Sequence, residues 1–323
     1  MNTVHIENVP ENFRTVVVVG SGLMGSGIAA RAALAGNRTI IVNRHVEHAQ
    51  EGWEKARENL RELADNGLAD NEAADKGAAL LSFTGDMEAA LKNARFVMEA
   101  VPENLALKQA LFTQMDAALP QEVPIVSTTS GIRITEISAR TRHPERTCTG
   151  HFWFPPHIVP LVEVVIGDRT DPAVAQAAFD EFKAWGKEPV MVKKDLPGQL
   201  GNRILHAMIR EAVNIVAIGL ASAEDVDRCI KLGMGIRFPV YGPLEHSDAV
   251  GIDLTSAVQD IVLPAISGID HTNDYMKAML ERGDLGCKTG KGFYDWSPRS
   301  MADLAARRND FIMSTVKKLY GKR

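Results

Sequence analysis

TVVVVGSGLMG, residues 15–25, decides the fold. Its β-branched run has no polar break, so it suits a strand covered on both faces of a parallel sheet, not one that alternates between core and water. Gly20-Ser21-Gly22-Leu23-Met24-Gly25 follows at once and opens a helical stretch, the context in which this glycine spacing carries information. There Gly20 allows the tight turn, Gly22 lets a pyrophosphate approach the backbone, and Gly25 lets helix and strand pack closely. Leu23 and Met24 fall in the first helical turn, whose unpaired N–H groups and positive dipole end suit a diphosphate. The turn therefore predicts a bound dinucleotide.

Further apolar runs follow at TIIV (39–42), RFVMEA (95–100), PIVSTT (124–129), RTCTGHFW (146–153), PLVEVVIG (160–167) and PVMVKK (189–194). Short strands alternating with helical segments build a sheet covered by helices on both faces. Between the second and third runs, His45 to Gly85 has charges at helical spacing and reads as an inserted helical hairpin with Gly67 ending its first arm. From Gly198 onward the pattern is helical, with Ser222 as an expected N-cap, and Lys193 to Pro197 breaks both patterns. The expectation is an α/β chain with a Rossmann-type doubly wound sheet carrying the hairpin over 1–195 and an all-helical domain over 196–323.

The chain has 323 residues, 45% of them hydrophobic and 24% charged, enough to bury a full core in about two domains. Its net charge of −5 is spread along the sequence without a basic block, which argues against a nucleic-acid partner. Three separated cysteines, Cys148, Cys229 and Cys287, lack metal or redox spacing and read as reduced thiols. No stretch approaches the ~20 apolar residues of a membrane span, and the opening MNTVHIENVPENF lacks the layout of a secretory signal. A cytoplasmic protein without metal is expected.

In NAD-binding sheets of this type the second strand ends in an acidic residue for the ribose hydroxyls. Here Asn43 and Arg44 stand there. An amide does not repel a 2'-phosphate and a guanidinium binds one, which allows NADP; equally, Asn43 can bond the ribose while Arg44 stacks on adenine, which leaves NAD. Hydride transfer from an alcohol also needs a base for the hydroxyl proton, and histidine titrates in the right range. Of nine histidines, His151 closes a strand at the carboxyl edge of the sheet, where open α/β sheets place ligands. Glu163 lies in the next apolar run, where a carboxylate is costly without a donor such as an imidazole. His157, in a proline-rich turn, ranks second.

HFWFPPHIVPLVEVV (151–165) resembles the His-Phe-x-Asn-Pro...Leu-Val-Glu-Val signature of L-3-hydroxyacyl-CoA dehydrogenases. AVPENLALKQALF (100–112), STTSGIRIT (127–135), DLPGQLGNRIL (195–205), GMGIRFPVYGPLEHSDAVGID (233–253) and KTGKGFYDW (288–296) resemble that family's Glu-Asn-Leu-x-x-Lys, Asn-Thr-Ser-Ser, Gly-Phe-x-x-Asn-Arg, Gly-x-Gly-x-Arg...Gly-Pro and Lys-Thr-Gly-x-Gly-Phe-Tyr segments, in order. The resemblance spans essentially the whole chain. It implies an NAD(P)-dependent oxidoreductase of fatty-acid type that interconverts a 3-hydroxyl and a 3-keto group on an acyl-CoA or a 3-hydroxy acid, working as a homodimer through its helical domain. It makes His151 the base, Glu163 its orienting carboxylate, and Ser130 and Asn202 the groups near the reacting oxygen, with Glu103 and Lys108 near the nicotinamide. Ser130 and Glu103 also suit helix N-caps, and Lys108 a solvated helix face.

The sequence departs from the pattern at Phe154, where the family has asparagine, at Gly131 and at Asn43. Trp153 and Phe154 are expected to form an aromatic wall. Details such as Val-Pro-Glu-Asn-Leu resemble the lambda-crystallin and L-gulonate dehydrogenase branch, and carnitine dehydrogenases are similar, which implies a free hydroxy acid or, as in the crystallin, a non-catalytic structural role as alternatives. The hairpin, which in acyl-CoA enzymes helps hold CoA, mixes Lys55, Arg57 and Arg61 with Glu51, Glu54, Glu58 and Glu62, a pattern that also suits intrahelical pairing.

Overall fold

A computed structural model describes residues 15–320; the opening MNTVHIENVPENF, read above as lacking a secretory signal, lies outside the described residues. The strands are β1 (Thr15–Val19), β2 (Arg38–Val42), β3 (Leu81–Thr84), β4 (Ala94–Glu99), β5 (Ile125–Ser127), β6 (Thr147–Phe152), β7 (Leu161–Val165) and β8 (Glu188–Val192). The helices are α1 (Leu23–Leu34), α2 (Val46–Asp65), α3 (Asn71–Leu80), α4 (Met87–Leu91), α5 (Leu105–Ala118), α6 (Ile134–Ile137), α7 (Pro172–Ala184), α8 (Gly201–Ala217), α9 (Ala223–Cys229), α10 (Pro243–Val250), α11 (Ile252–Val262), α12 (Asp274–Glu281) and α13 (Met301–Tyr320).

The strands form one sheet in the order β3-β2-β1-β4-β5-β6-β7-β8. All neighbours are parallel except β6 and β7, which run antiparallel. The order reverses between β1 and β4, so the two halves of the chain diverge beside the glycine turn, the place where such sheets bind ligands. In β1, Val16 and Val18 pack into one apolar cluster while Val17 and Val19 pack into another. Residues of alternate parity face opposite sides of a strand, so the unbroken valine run is explained by two covered faces. On the first face Phe182 meets Phe96, Phe152 and Trp185 edge-on at 5.2 to 5.8 Å between centroids. Each such buried ring contributes about 1.5–3 kcal/mol of apolar burial.

The hairpin is present as α2 and α3, turning at Gly67 with φ +63°. Its last residues correct the sequence reading: Leu81–Thr84 form β3, the edge strand pairing with β2. Four residues directly abutting a helix carry too short a period to separate from it.

The described residues pack as two units. The first takes residues up to Asn202 and those from Ile312 onward, and the second takes Arg203–Phe311. The expected division at 195/196 with everything beyond it in the helical domain thus differs at two places. Residues 196–202 are tied into the first unit by hydrogen bonds to Thr129, Ser130 and Glu163, and the end of α13 packs there too. The second unit is helical, with Ser222 capping α9 by accepting from the Asp225 N–H. It carries an open cavity of about 590 Å³ lined by Val213, Val226, Met279, Phe293 and Trp296, among others. At its wall the Tyr294 hydroxyl donates to Asp227 at 2.8 Å, and burial with that carboxylate pushes its pKa up to about 12. Among the described residues no helix is long and apolar enough to cross a membrane.

Candidate active site

The antiparallel step between β6 and β7 sets His151 directly opposite Glu163. Directly opposed residues project to the same face of a sheet with neighbouring Cβ atoms, so the backbone register alone brings ring and carboxylate together. His151 Nδ1 lies 3.4 Å from Glu163 Oε2, at the long end of hydrogen-bond range. Glu163 is fully buried and gathers three more donors: the Trp153 indole N–H at 3.3 Å, the Gly201 N–H at 2.8 Å and the Leu200 N–H at 3.4 Å. Burial opposes ionisation of this carboxyl, but the donors from His151, Gly201 and Leu200 outweigh it and hold the pKa below the usual carboxylate range. Gly201 is required here because a Cβ would meet the Trp153 ring and Glu163 Oε1.

Ser130 sits on the turn after β5 and is exposed. Glu103 holds that turn: its Oε1 accepts from the Thr129 hydroxyl at 2.7 Å and from the N–H groups of Ser130, Gly131 and Ile132 at 3.2, 2.9 and 3.3 Å. Burial opposes the Glu103 charge, but these donors and Lys108 hold its pKa below the usual range. From the other side, the Asn202 side-chain amide donates to the Ser130 carbonyl at 3.1 Å and that of Gln199 to the Thr129 carbonyl at 2.8 Å. The segment leading to them is anchored by Asp195, which accepts from the Thr135 N–H and hydroxyl at 2.9 and 2.6 Å. Neither Ser130 nor Glu103 is a helix cap: Asn104 caps α5 and Arg133 caps α6.

Lys108 is buried, not solvated, with Nζ 2.7 Å from Glu99 and 3.5 Å from Glu103. Glu99 also accepts from the Ser127 hydroxyl at 2.6 Å and the Val101 N–H at 2.7 Å, which satisfies the carboxylate away from water. Glu99 was not singled out in the sequence, although a carboxylate ending the apolar run RFVME carries the same signal that pointed to Glu163. Gln199 was also missed. The expected aromatic wall is only half formed: Trp153 is partly buried and turned to Glu163, while Phe154 is 46% exposed.

At the glycine turn, Gly20 has φ +114° and a Cβ there would strike the Ala100 carbonyl; one on Gly25 would strike the Gly20 carbonyl. Gly22 differs, since a Cβ there meets nothing within 4 Å and the residue is exposed. As N-cap of α1 it brings no side-chain cap, so the first-turn N–H groups, including those of Leu23 and Met24, face outward for an anion. Asn43 donates to the Ser21 hydroxyl at 2.8 Å and accepts from the His45 N–H at 3.1 Å, which places it beside the turn where a ribose would lie; Arg44 is exposed. These residues fit a dinucleotide.

Comparison with known proteins agrees with that geometry. The family described as 3-hydroxyacyl-CoA dehydrogenase, NAD binding domain, matches residues 15–196, and the C-terminal domain of the same family matches 198–296. The chain belongs to the 3-hydroxyacyl-CoA dehydrogenase family. It is 32% identical over 312 residues to 5-formyl-3-hydroxy-2-methylpyridine 4-carboxylate 5-dehydrogenase of Mesorhizobium japonicum, covering 96% of this chain and 99% of that protein. It is 32% identical over 288 residues to the human mitochondrial hydroxyacyl-coenzyme A dehydrogenase, covering 87% and 90%. A crystal structure described as a 5-dehydrogenase of that pyridine carboxylic acid, an NAD+ dependent dismutase, superposes with a TM-score of 0.89 at 31% identity, covering 96% of this chain and 100% of that one. As a member of this dehydrogenase family, the protein is an oxidoreductase of the 3-hydroxyacyl-CoA dehydrogenase type, and its cofactor is NAD.

Proposed function

We propose that the protein interconverts a 3-hydroxyl and a 3-keto group, with His151 as the proton acceptor and Glu163 as its orienting carboxylate. The observation that carries this reading is the β6–β7 register, which pairs a buried imidazole with a fully buried carboxylate beside the Ser130 turn. With Nδ1 held by Glu163, Nε2 faces substrate, takes the hydroxyl proton in oxidation and returns it in reduction. When bound, NAD would be held at its diphosphate by the Gly20–Gly25 turn and at its ribose by Asn43, and would supply the hydride acceptor. Glu163 stabilises the imidazolium that forms, as its depressed pKa requires. The Ser130 hydroxyl donates to the reacting oxygen, and Asn202 and Glu103 fix the turn that carries it. Lys108, shared between Glu99 at 2.7 Å and Glu103 at 3.5 Å, helps keep Glu103 ionised, and Glu103 would stand near the nicotinamide.

The second reading concerns the acyl group. Lys55 pairs with Glu58 at 2.8 Å within α2, and Arg57 lies over the Trp53 ring at 4.7 Å, so two cations of the hairpin are engaged within their own helix. With the whole-length match to a carboxylate dehydrogenase, this favours a free hydroxy acid over a CoA thioester. The exposed apolar side chains of the helical unit, Ile218, Leu220, Val240, Leu244 and Ile261 among them, support self-association as a homodimer. A cytoplasmic location completes the proposal.

A substrate panel tests it: acetoacetyl-CoA with NADH, and free 3-hydroxy acids with NAD or NADP side by side. Turnover of any of these with NAD is expected, faster on the free acids. A protein that binds NADH yet turns over none of them sinks the enzymatic reading and favours a crystallin-like structural role.

A further inference from the structure

Glu99 is the last residue of β4, and it pairs in register with Val19 on one side and with Ser127, the last residue of β5, on the other. It therefore stands at the carboxyl edge of the sheet, between the strand that leads into the glycine turn and the strand that leads into the Ser130 turn. Its side chain and that of Lys108 are 0% and 1% exposed. Well-packed apolar side chains of similar volume often replace such a buried ion pair without loss of stability. Stability alone gives no reason for charge at the end of the apolar run RFVME.

The contacts of Glu99 supply a reason. Its main-chain carbonyl accepts from the Thr128 N–H at 2.8 Å. Oε2 accepts from the Ser127 hydroxyl at 2.6 Å, and that hydroxyl oxygen accepts in turn from the Thr129 N–H at 3.1 Å. Oε1 accepts from the Val101 N–H and from Lys108 Nζ, both at 2.7 Å, and Nζ also lies 3.5 Å from Glu103 Oε2. The other oxygen of Glu103, Oε1, is then left for the Thr129 hydroxyl and the N–H groups of Ser130, Gly131 and Ile132. Glu99 thus reaches residues 128 and 129 directly and through Ser127, and residues 129 to 132 through Lys108 and Glu103. Ser130 is flanked on both sides by groups tied to one buried carboxylate.

We propose that Glu99 is a positioning residue for the reaction, holding the turn through Ser127 on one side and through Lys108 and Glu103 on the other, so that the Ser130 hydroxyl is aimed before substrate arrives. This rests on the function proposed above. Glu99 touches neither substrate nor cofactor and acts only through the turn. A donor displaced by about 1 Å can lower a rate by up to roughly 10²-fold, so a remote group of this kind is felt in kcat.

Two variants cut the relay at different points. In Glu99→Gln a single amide oxygen replaces two carboxylate oxygens, so either Ser127 or Lys108 loses its acceptor. Ser127→Ala removes the hydroxyl branch and leaves the ion pair whole, so it decides the matter should Glu99→Gln lose its fold. Each is made in the wild type and in a Ser130→Ala background, and kcat is measured with NAD and the free hydroxy acid that the wild type turns over fastest. The expected result is a fall in kcat of about tenfold for Glu99→Gln and about fivefold for Ser127→Ala in the wild type, shrinking to near unity in the Ser130→Ala background, since an absent hydroxyl cannot be misplaced. The same factor in both backgrounds, or no fall in the wild type, overturns the proposal and leaves Glu99 a structural residue. Amide hydrogen exchange, read by mass spectrometry without substrate, gives an independent arm. Faster exchange confined to peptides covering residues 127–133 is expected in both variants; unchanged exchange, or faster exchange across the whole sheet, overturns the proposal. If the wild type turns over no 3-hydroxy acid and leaves acetoacetyl-CoA unreduced, the proposed function falls, while the exchange arm still decides whether Glu99 holds the turn.

Discussion

His151 and His157 lie six residues apart in the sequence, are almost equally buried at 6% and 7% exposure, and both meet a glutamate. By distance His157 has the better pair, with Nε2 2.9 Å from Glu62 against 3.4 Å for His151 and Glu163. Their surroundings differ. Glu62 belongs to α2 and is one-third exposed, and the free ring nitrogen of His157, Nδ1, is buried without a partner close to Gly27 of α1. Burial, against the pull of Glu62, lowers the pKa of His157. Beside it Lys187 is buried with its ammonium on the carbonyls of Pro156 and Val159, and desolvation with help from Arg31 pulls its pKa well below the usual range. His157 therefore ties α1 and α2 to the β6–β7 connection. His151 instead faces a carboxylate already held by three other donors, on the face that carries Ser130 and Asn202. A buried histidine beside a glutamate is not by itself a base; what the carboxylate and the second ring nitrogen meet decides its role.

The sharpest way to break this comparison is to remove each ring in turn. His151→Gln should lower kcat by roughly 10²–10⁴-fold with NADH affinity nearly unchanged, whereas His157→Gln should leave kcat within about threefold. Equal losses in steady-state kinetics would erase the distinction. Glu163→Gln comes next, with a drop of roughly 10²-fold. Its amide oxygen can keep the Gly201 N–H, but its NH₂ then faces Nδ1 and forces the proton to Nε2, the wrong nitrogen for a base. The matching Glu62→Gln change should leave the rate alone.

Gly201→Ala probes the support of the pair. The added methyl meets the Trp153 ring and Glu163, so a stability loss of about 1–3 kcal/mol in urea titrations is expected, together with a kcat lower by roughly tenfold. Wild-type stability with reduced kcat would show that the carboxylate had moved to make room.

The smallest effect is in the pH dependence of stability. Glu163 and Glu103 have folded pKa values below the usual carboxylate range, so the stability they contribute is present above about pH 4.3 and is lost as pH falls through their folded values. His157 is also lowered, so below about pH 6.5 the unfolded chain binds its proton first and stability declines as pH falls toward the folded value. His157→Gln should flatten that part of the curve between pH 5 and 7 in denaturant midpoints.

Much of the fold was legible because it rests on local patterns. The valine run, the glycine spacing and the helical period after Gly198 each report a covered strand, a phosphate turn or a helix without knowledge of distant partners. β3 escaped because four edge residues next to a helix carry too little periodicity. At the site, His151, Glu163, Ser130 and Asn202 were singled out from the apolar setting of Glu163 and from family resemblance, and the structure pairs His151 with Glu163 and Asn202 with the Ser130 carbonyl. Lys108 was ambiguous because a lysine on a helix reads as solvated until Glu99 is seen beneath it. Gln199 was not legible at all.

The sequence by itself determined the element order, the dinucleotide turn and which side chains are chemically competent, since those follow from spacing along the chain. Only the tertiary structure decided which histidine faces an ordered carboxylate and which lysine is buried on a counter-ion. Those depend on strand direction and on contacts across tens of residues, above all the antiparallel β6–β7 step that sets residue 151 against residue 163. A backbone register of that kind is fixed by packing on both faces of the sheet, which no single stretch of sequence encodes.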